Sequence, residues 1–310
     1  MRRCPGLKEQ LRDVRTTAKG EFAAKPNYRR RASSLLPPLF PFRLGGLMLI
    51  FLACRRVDIG TQMPLRETEA IVLRTYRLGE ADKVASLLTR QLGRLRAVAA
   101  GAQRPKSRYG GTLEPLSYVR LLVFERENRD LLRLNSAELI ESFFDMQKDY
   151  RVQVAAQYVA EVSEKFLPER EVNERAFRLL VTVLRALKRS GEINRPLVYF
   201  DYWLLRLGGF LPDLDRCAAC GRGLSEGQGW YGEGSEGLLC GDCRTPAARE
   251  TVSVDGLAAV RKGCKASLAD WLVVDKAAAG TRQVRRFLEE VVESHLEKKL
   301  VTRPLLSAEV

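Results

Sequence analysis

The sequence predicts an α+β multidomain protein, and three observations predict it. Five short alternating segments fall within about 75 residues, the hydrophobic period lengthens to a helical one beyond Phe143, and two C-x2-C pairs interrupt the helical part. A chain of 310 residues with 45% apolar content is long enough for two or three domains, each with its own core.

The first segment, residues 1–62, shows no sustained period. It carries the run Arg29-Arg30-Arg31, a Pro-rich stretch at Leu36 to Pro41 and an apolar run from Leu44 to Cys54. That run is shorter than the ~20 apolar residues a membrane-spanning helix needs, and no convincing small-residue cleavage site follows it. Met63 stands directly before regular alternation, so translation is expected to start there, leaving residues 1–62 as a disordered or non-native extension.

Regular structure begins with a strand over Thr68 to Arg74, broken at Gly79-Glu80-Ala81-Asp82. A second strand fits Lys83 to Thr89, and Leu92-Gly93 turns the chain into a third at Arg94 to Ala100. A polar loop from Gly101 to Gly111 precedes strands at Leu116 to Glu125 and Leu131 to Leu139, joined around Glu127-Asn128-Arg129. Five short strands in so few residues suit a small closed barrel of OB type.

Helical spacing follows. Val152, Ala155, Ala156, Val159, Val162 and Phe166 mark one helix ended by Pro168, and a second runs from Val172 to Lys188. Pro196 opens a third, through Tyr199, Trp203 and Leu207 to Gly208-Gly209, whose aromatics read as core. The last, Thr281 to Leu300, sets Val284, Phe287, Leu288, Val291, Val292 and Leu296 on one stripe. The expected division is the extension 1–62, an OB-fold barrel 63–141, helical parts 142–215 and 247–303 flanking a cysteine insert 216–246, and a tail 304–310.

Cysteine spacing carries the clearest chemistry. Cys217-x2-Cys220 and Cys240-x2-Cys243, nineteen residues apart, have zinc-ribbon spacing, because each pair can form a knuckle that points two thiolates at one tetrahedral metal. Gly221 and Gly241 suit those turns, and Gly229-Trp-Tyr-Gly and Glu236-Gly-Leu-Leu read as hairpin arms between them. Two disulfides or a redox dithiol compete with this reading, but the lack of a convincing secretory signal favours a reducing cytosol. Four protein ligands close the coordination shell, so one structural Zn2+ is expected and no metal-activated water. Cys4, Cys54 and Cys264 lack partners at useful spacing and read as free thiols.

Catalysis has little to work with. His295 is the only histidine, and its neighbours Glu293, Ser294, Leu296, Glu297 and Lys298 read as a solvated helix face. No nucleophile motif and no paired-carboxylate motif accompanies the cysteines, which disfavours a metal-dependent hydrolase or nuclease.

Net charge is +14, yet residues 1–62 hold thirteen Lys/Arg against four Asp/Glu, leaving thirty-nine against thirty-four for the rest. A nucleic-acid reading therefore needs a local cluster. One exists: no acidic residue lies between Asp82 and Glu114, while Lys83, Arg90, Arg94, Arg96, Arg104, Lys106 and Arg108 supply seven cations. Arg94 and Arg96 alternate with Leu95 and Ala97 and so share a sheet face, and Tyr109 or Tyr76 would stack on a base. A solvated charged surface is the competing reading.

At these residues the chain resembles the RecO family of bacterial recombination mediators. The resemblance rests on Glu69-Ala-Ile-Val-Leu-Arg-Thr-Tyr-Arg-Leu-Gly-Glu-Ala-Asp-Lys83, on Gly93-Arg-Leu-Arg-Ala-Val-Ala-Ala-Gly101, and on Arg104-Pro-Lys-Ser-Arg-Tyr-Gly-Gly111 followed by Leu113-Glu-Pro-Leu116. It extends from Met63 to about Leu300. It implies a non-enzymatic protein that binds single- and double-stranded DNA, anneals complementary strands, and acts with RecR to load RecA onto strands covered by single-strand-binding protein. It further implies DNA contacts at Arg94, Arg96, Arg104, Lys106 and Arg108, zinc at Cys217, Cys220, Cys240 and Cys243, and a cytoplasmic, nucleoid-associated protein with no membrane partner. The alternative from another class is a zinc-ribbon, OB-fold module that binds RNA or serves transcription.

Overall fold

A computed structural model describes residues 65–124, 131–224, 228–274 and 280–307. The extension, the Glu127-Asn128-Arg129 turn, Cys4 and Cys54 lie outside them.

Five strands, β1 (Leu65–Leu78), β2 (Asp82–Thr89), β3 (Arg94–Ala99), β4 (Tyr118–Phe124) and β5 (Leu131–Glu141), close into a barrel in the order β1-β2-β3-β5-β4. Every pairing is antiparallel except β3 with β5. This is the OB-type barrel expected, and closure leaves no strand edge open to a second chain. β1 is longer than the alternation suggested, because it serves two neighbours. Residues 65–71 pair with β4 and residues 70–78 with β2, and a register shift between Val72 and Arg74 bends the strand between them.

Period-2 alternation then gives the barrel two apolar faces. Ala70, Val72, Ala85, Leu87, Leu95, Ala97, Val119 and Leu121 fill the interior. Ile71, Leu73 and Leu88 point outward yet are as buried, because they join the core of the helical part. Truncating Leu121, fully enclosed in the barrel, to Ala would cost about 2–5 kcal/mol.

The helical part is built from α1 (Tyr150–Phe166), α2 (Glu174–Ser190) and α3 (Asn194–Gly208), then α4 (Val254–Lys265), α5 (Leu268–Val274), α6 (Thr281–Leu296) and α7 (Arg303–Ser307). Asp149 caps α1 by accepting from the Arg151 and Val152 amides, and Asn173 caps α2 by accepting from Ala176. α1 is the central helix, so Tyr158, Ala160, Glu161 and Ser163 are buried along with its expected apolar stripe. Between α3 and α4 lie β6 (Gln228–Tyr231) and β7 (Glu250–Ser253), paired antiparallel. The two arms expected to form a hairpin meet only at Trp230 and Leu239, which exchange both backbone hydrogen bonds at 2.8 Å.

One expected exposure is overturned. Glu293, placed on a solvated face by the sequence reading, is buried, accepts from the Leu300 amide and pairs with Arg303. α6 stops at Leu296, with Glu297 in the left-handed region, and the chain turns back so that the Leu300 amide and Arg303, the first residue of α7, reach Glu293. Among the described residues no helix is long and apolar enough to cross a membrane.

Candidate nucleic-acid interface and metal centre

The basic segment divides in two once its partners in space are counted. Arg94 is mostly enclosed: its Nε donates to the Leu167 carbonyl at 2.8 Å and its Nη1 to Glu169 Oε1 at 3.2 Å. The Arg96 Nε lies 3.3 Å from the same carboxylate oxygen. Arg90 donates to Glu174 Oε1 through Nε (3.0 Å) and Nη2 (2.8 Å), and reaches Glu69 at 3.4 Å. Lys83 stands 3.4 Å from Glu114. Four of the seven cations therefore face carboxylates, two of which come from beyond the barrel.

Backbone contacts tighten the same seam. The Arg170 amide donates to the Arg94 carbonyl at 2.8 Å. Gly93 adopts a φ of +70°, and a Cβ there would overlap the Glu171 carbonyl, so the chain can approach only because the side chain is missing. Arg94 and Arg96 share a sheet face as expected, but that face looks onto residues 167–171.

The remaining cations lie on the loop between β3 and β4. Arg104, Lys106 and Arg108 are exposed, and Arg104 and Lys106 enter no ion pair among the described residues. The loop is held down from both ends. The Gln103 amide donates to Ala81 and its side chain to the Asp82 carbonyl at 2.6 Å, while the Gly101 amide donates to Asp82 Oδ1 at 2.8 Å. Tyr109 anchors the other end.

Tyr109 corrects an expectation. Its ring is 1% exposed inside the barrel core and its hydroxyl donates to the Leu134 carbonyl at 2.9 Å, so it cannot stack on a base. Arg108 covers it, with Nη2 donating to the Tyr109 hydroxyl at 2.9 Å and the guanidinium 5.0 Å from the ring centre. Nothing in the alternation of the loop signals this burial, since an isolated Tyr among charges reads as surface.

Tyr76, by contrast, is exposed near the end of β1, with Arg74 5.9 Å over its ring. Arg77 beside it is exposed and sits opposite Lys83 in the β1–β2 register. Residue-by-residue reading passed over Arg74 and Arg77 because they precede Asp82, where the acid-free stretch begins. The tie between Gln103 and the β1–β2 turn brings this end of β1 and the Arg104 loop to the same end of the barrel.

The cysteines converge. One sulfur from each of Cys217, Cys220, Cys240 and Cys243 lies within 4.8 Å of the others, close enough for one metal ion. The first knuckle turns on Gly221, at φ +70°, whose amide donates to the Cys217 carbonyl at 2.9 Å. Gly241 needs no such freedom: it opens a 3-10 turn, Gly241–Cys243. The Ala218 amide bonds the Leu238 carbonyl at 2.8 Å, and the Cys240 amide donates to Cys217 Sγ at 3.3 Å, which locks the knuckles together. Burial opposes the Cys217 thiolate, but amides from Cys240, Cys220 and Ala219 outweigh it and bring the thiol down to about 6. Cys243, hydrogen-bonded to the neighbouring sulfurs, is pushed up to about 12. Four sulfurs this close resist ionising together, and a bound cation removes that resistance.

Elsewhere the chemistry is structural. Cys264 is buried, which pushes its thiol up and makes it a poor nucleophile. His295 is exposed, with its ring against Phe210 and its centre 5.0 Å from that of Phe166. The helical core also encloses Asp201 and Glu289 beside Arg285 and Arg303, with Tyr158 donating to Asp201 at 3.1 Å. Helical periodicity assigns such charges to solvent, so nothing in the pattern of α3 or α6 announces their burial.

Barrel and cysteine centre together define a class of protein: an OB-type barrel joined to a helical domain that carries a four-cysteine cluster able to hold a metal ion. Two family models match in the same order, "Recombination protein O N terminal" over residues 63–143 and "Recombination protein O C terminal" over residues 147–304. A protein of Koribacter versatilis described as "DNA repair protein RecO" is 39% identical over 242 residues, spanning 78% of this chain and 98% of its own length. A Nocardioides protein of the same description is 38% identical over 247 residues, spanning 76% and 96%. One from Anaeromyxobacter dehalogenans is 34% identical over 237 residues, spanning 76% and 93%. The chain belongs to the RecO family of DNA repair proteins.

Proposed function

We propose that the chain is a non-enzymatic recombination mediator. It binds single- and double-stranded DNA on its barrel, anneals complementary strands and, with RecR, assists RecA loading onto strands coated by single-strand-binding protein, in the cytoplasm at the nucleoid. The observation that carries this reading is the end of the barrel where exposed Arg104, Lys106 and Arg108 lie on the loop tied to the β1–β2 turn, with Arg77 and Tyr76 at the end of β1. Such a surface offers cations to phosphates and an aromatic face to a base. Arg94, Arg96, Arg90 and Lys83 contribute as the margin of this surface, their charge partly compensated by the carboxylates they touch.

Annealing asks no covalent step of the protein. Base pairing drives it, and the barrel has only to screen phosphate repulsion while leaving base edges free. Zn2+ suits the cysteine centre: Zn–S bonds of ~2.3 Å set tetrahedral sulfur–sulfur edges near ~3.8 Å, and Cys220 and Cys240 stand 3.8 Å apart. Cys217, Cys220, Cys240 and Cys243 would hold it with no position left for water, so its part is to fix the fold of the insert.

The deciding experiment is annealing of complementary strands precoated with single-strand-binding protein, with and without RecR, with an RNA competitor in parallel. Faster annealing by this chain that single-stranded DNA competes away supports the reading. No acceleration, or a clear preference for RNA, overturns it.

A further inference from the structure

A second cationic site lies outside the barrel, in the helical part. A cavity of about 110 Å³ is lined by Arg151 of α1, Asn194 at the start of α3, Arg282 and Arg285 of α6, and Leu306 of α7. A single water needs only about 10–15 Å³ of such space, so a polyatomic ion with a bridging water fits. α3 starts there at Ile193, which has no polar group to offer, and the Arg195 amide of its first turn donates to Glu192 Oε1 at 3.4 Å.

Arg285 is the independent sign that an anion belongs here. It is 1% exposed and lines the cavity, yet its Nε donates no hydrogen bond. Its one ionic contact among the described residues is Glu289 Oε1 at 3.2 Å. That contact is made by the same Nε outside hydrogen-bond geometry, and a guanidinium carries four further donors. The one carboxylate in the cavity wall, Glu192, is already taken by Arg195, whose Nε donates to both its oxygens at 2.7 and 2.9 Å. Arg151 and Arg282 are exposed and enter no ion pair among the described residues, so two positive charges face the cavity uncompensated.

We propose that this cavity binds a phosphate group. A carboxylate is satisfied by one bidentate arginine, whereas three guanidiniums lining one space suit a doubly charged, tetrahedral anion with acceptors on every side. The phosphate is either free phosphate or a small monoester, or the 5′-phosphate of a nucleic-acid strand. No barrel residue takes part, so the site stands or falls apart from the proposed strand-binding surface.

The test titrates inorganic phosphate into the full chain at constant ionic strength, following the melting temperature, for the unaltered protein and for R151A/R282A. Both replaced side chains are exposed, so the variant keeps its fold where Arg285→Ala would not be relied upon to do so. A saturable rise in the unaltered protein, needing at least tenfold more phosphate in the variant, supports the proposal. The absence of a saturable rise, or the same rise in the variant, overturns it. Saturation by a glutamate-rich peptide but not by phosphate overturns it too, and assigns the cavity to a protein partner.

Oligonucleotides with and without a 5′-phosphate separate the two sources. Tighter binding of the phosphorylated strand, lost in R151A/R282A, places the phosphate on a strand end. Equal binding of the two strands, with the phosphate effect retained, assigns the site to the free ion or a small monoester.

Discussion

The β3–β4 loop and the cysteine insert are both stretches of irregular backbone set into a regular fold, but they are fixed in opposite ways. The loop is tied to the barrel by hydrogen bonds from Gly101 and Gln103 and by the buried Tyr109, so its order comes from the β-strands beneath it. The insert has one four-residue strand, paired with β7 just beyond it, and a set of converging sulfurs, so a metal held by those sulfurs would set its order. The proposed strand-binding surface is thereby carried by the element whose structure needs no ligand.

Metal removal should expose the difference most strongly. Thiolate sites of this kind bind zinc with an apparent ~10–16 kcal/mol, comparable to or above the stability of a typical domain. Chelation should make the backbone between Leu214 and Arg244 protease-sensitive while the barrel stays resistant. Elemental analysis should return one zinc per chain. Equal protection with and without chelator would erase the contrast.

Acid sharpens it from the helical side. Burial raises the Glu161 carboxyl, but Lys165, the Val301 and Thr302 amides and the Thr302 hydroxyl outweigh this and hold it down to about 2. Its folded value is depressed, so it adds stability above its unfolded value near 4.5, and that stability is lost as pH falls from there toward 2. Replacing Glu161 by Gln should flatten this part of the stability curve, followed by urea unfolding at stepped pH. An unchanged curve would remove Glu161 from the account.

Within the barrel, two tyrosines should part company. Tyr76→Ala should weaken single-strand binding by ~1–3 kcal/mol if a base stacks there. Tyr109→Phe should leave affinity alone and lower stability by ~1 kcal/mol through the lost bond to Leu134. Titrations with a labelled strand, paired with urea melts, read both; weaker binding in Tyr109→Phe with Tyr76→Ala unaffected would reverse the assignment. A smaller effect belongs to Glu169→Gln, which releases Arg94 and Arg96 from their shared carboxylate. Strand affinity should rise two- to threefold by the same titration, and a fall would show that the pairing positions those arginines for DNA.

What the sequence conveyed follows the range of the interactions. The cysteine centre was legible because metal-ligand spacing is local, four residues to a knuckle. Strand order was legible as a barrel type, although the double pairing of β1 was not, since nothing in Leu65 to Leu78 tells which half meets which neighbour. The basic segment was half legible. Its cations are in the sequence, but the carboxylates that engage them stand at 69, 114, 169 and 174, and only the fold brings these together. Tyr109 and Glu293 were misread for one reason: a polar group that finds a buried partner breaks the rule that places polar groups in solvent.

The salt dependence of single-strand affinity tests the central claim most directly, with Arg104→Ala/Lys106→Ala/Arg108→Ala set against Arg90→Ala/Arg96→Ala. Each phosphate contact contributes about 0.7 to the slope of log affinity against log salt. The loop variant should lose about 2 units of slope and the strand variant well under 1. A loop variant with an undiminished slope, or a strand variant that loses as much, would contradict the placement of the polynucleotide on the β3–β4 loop.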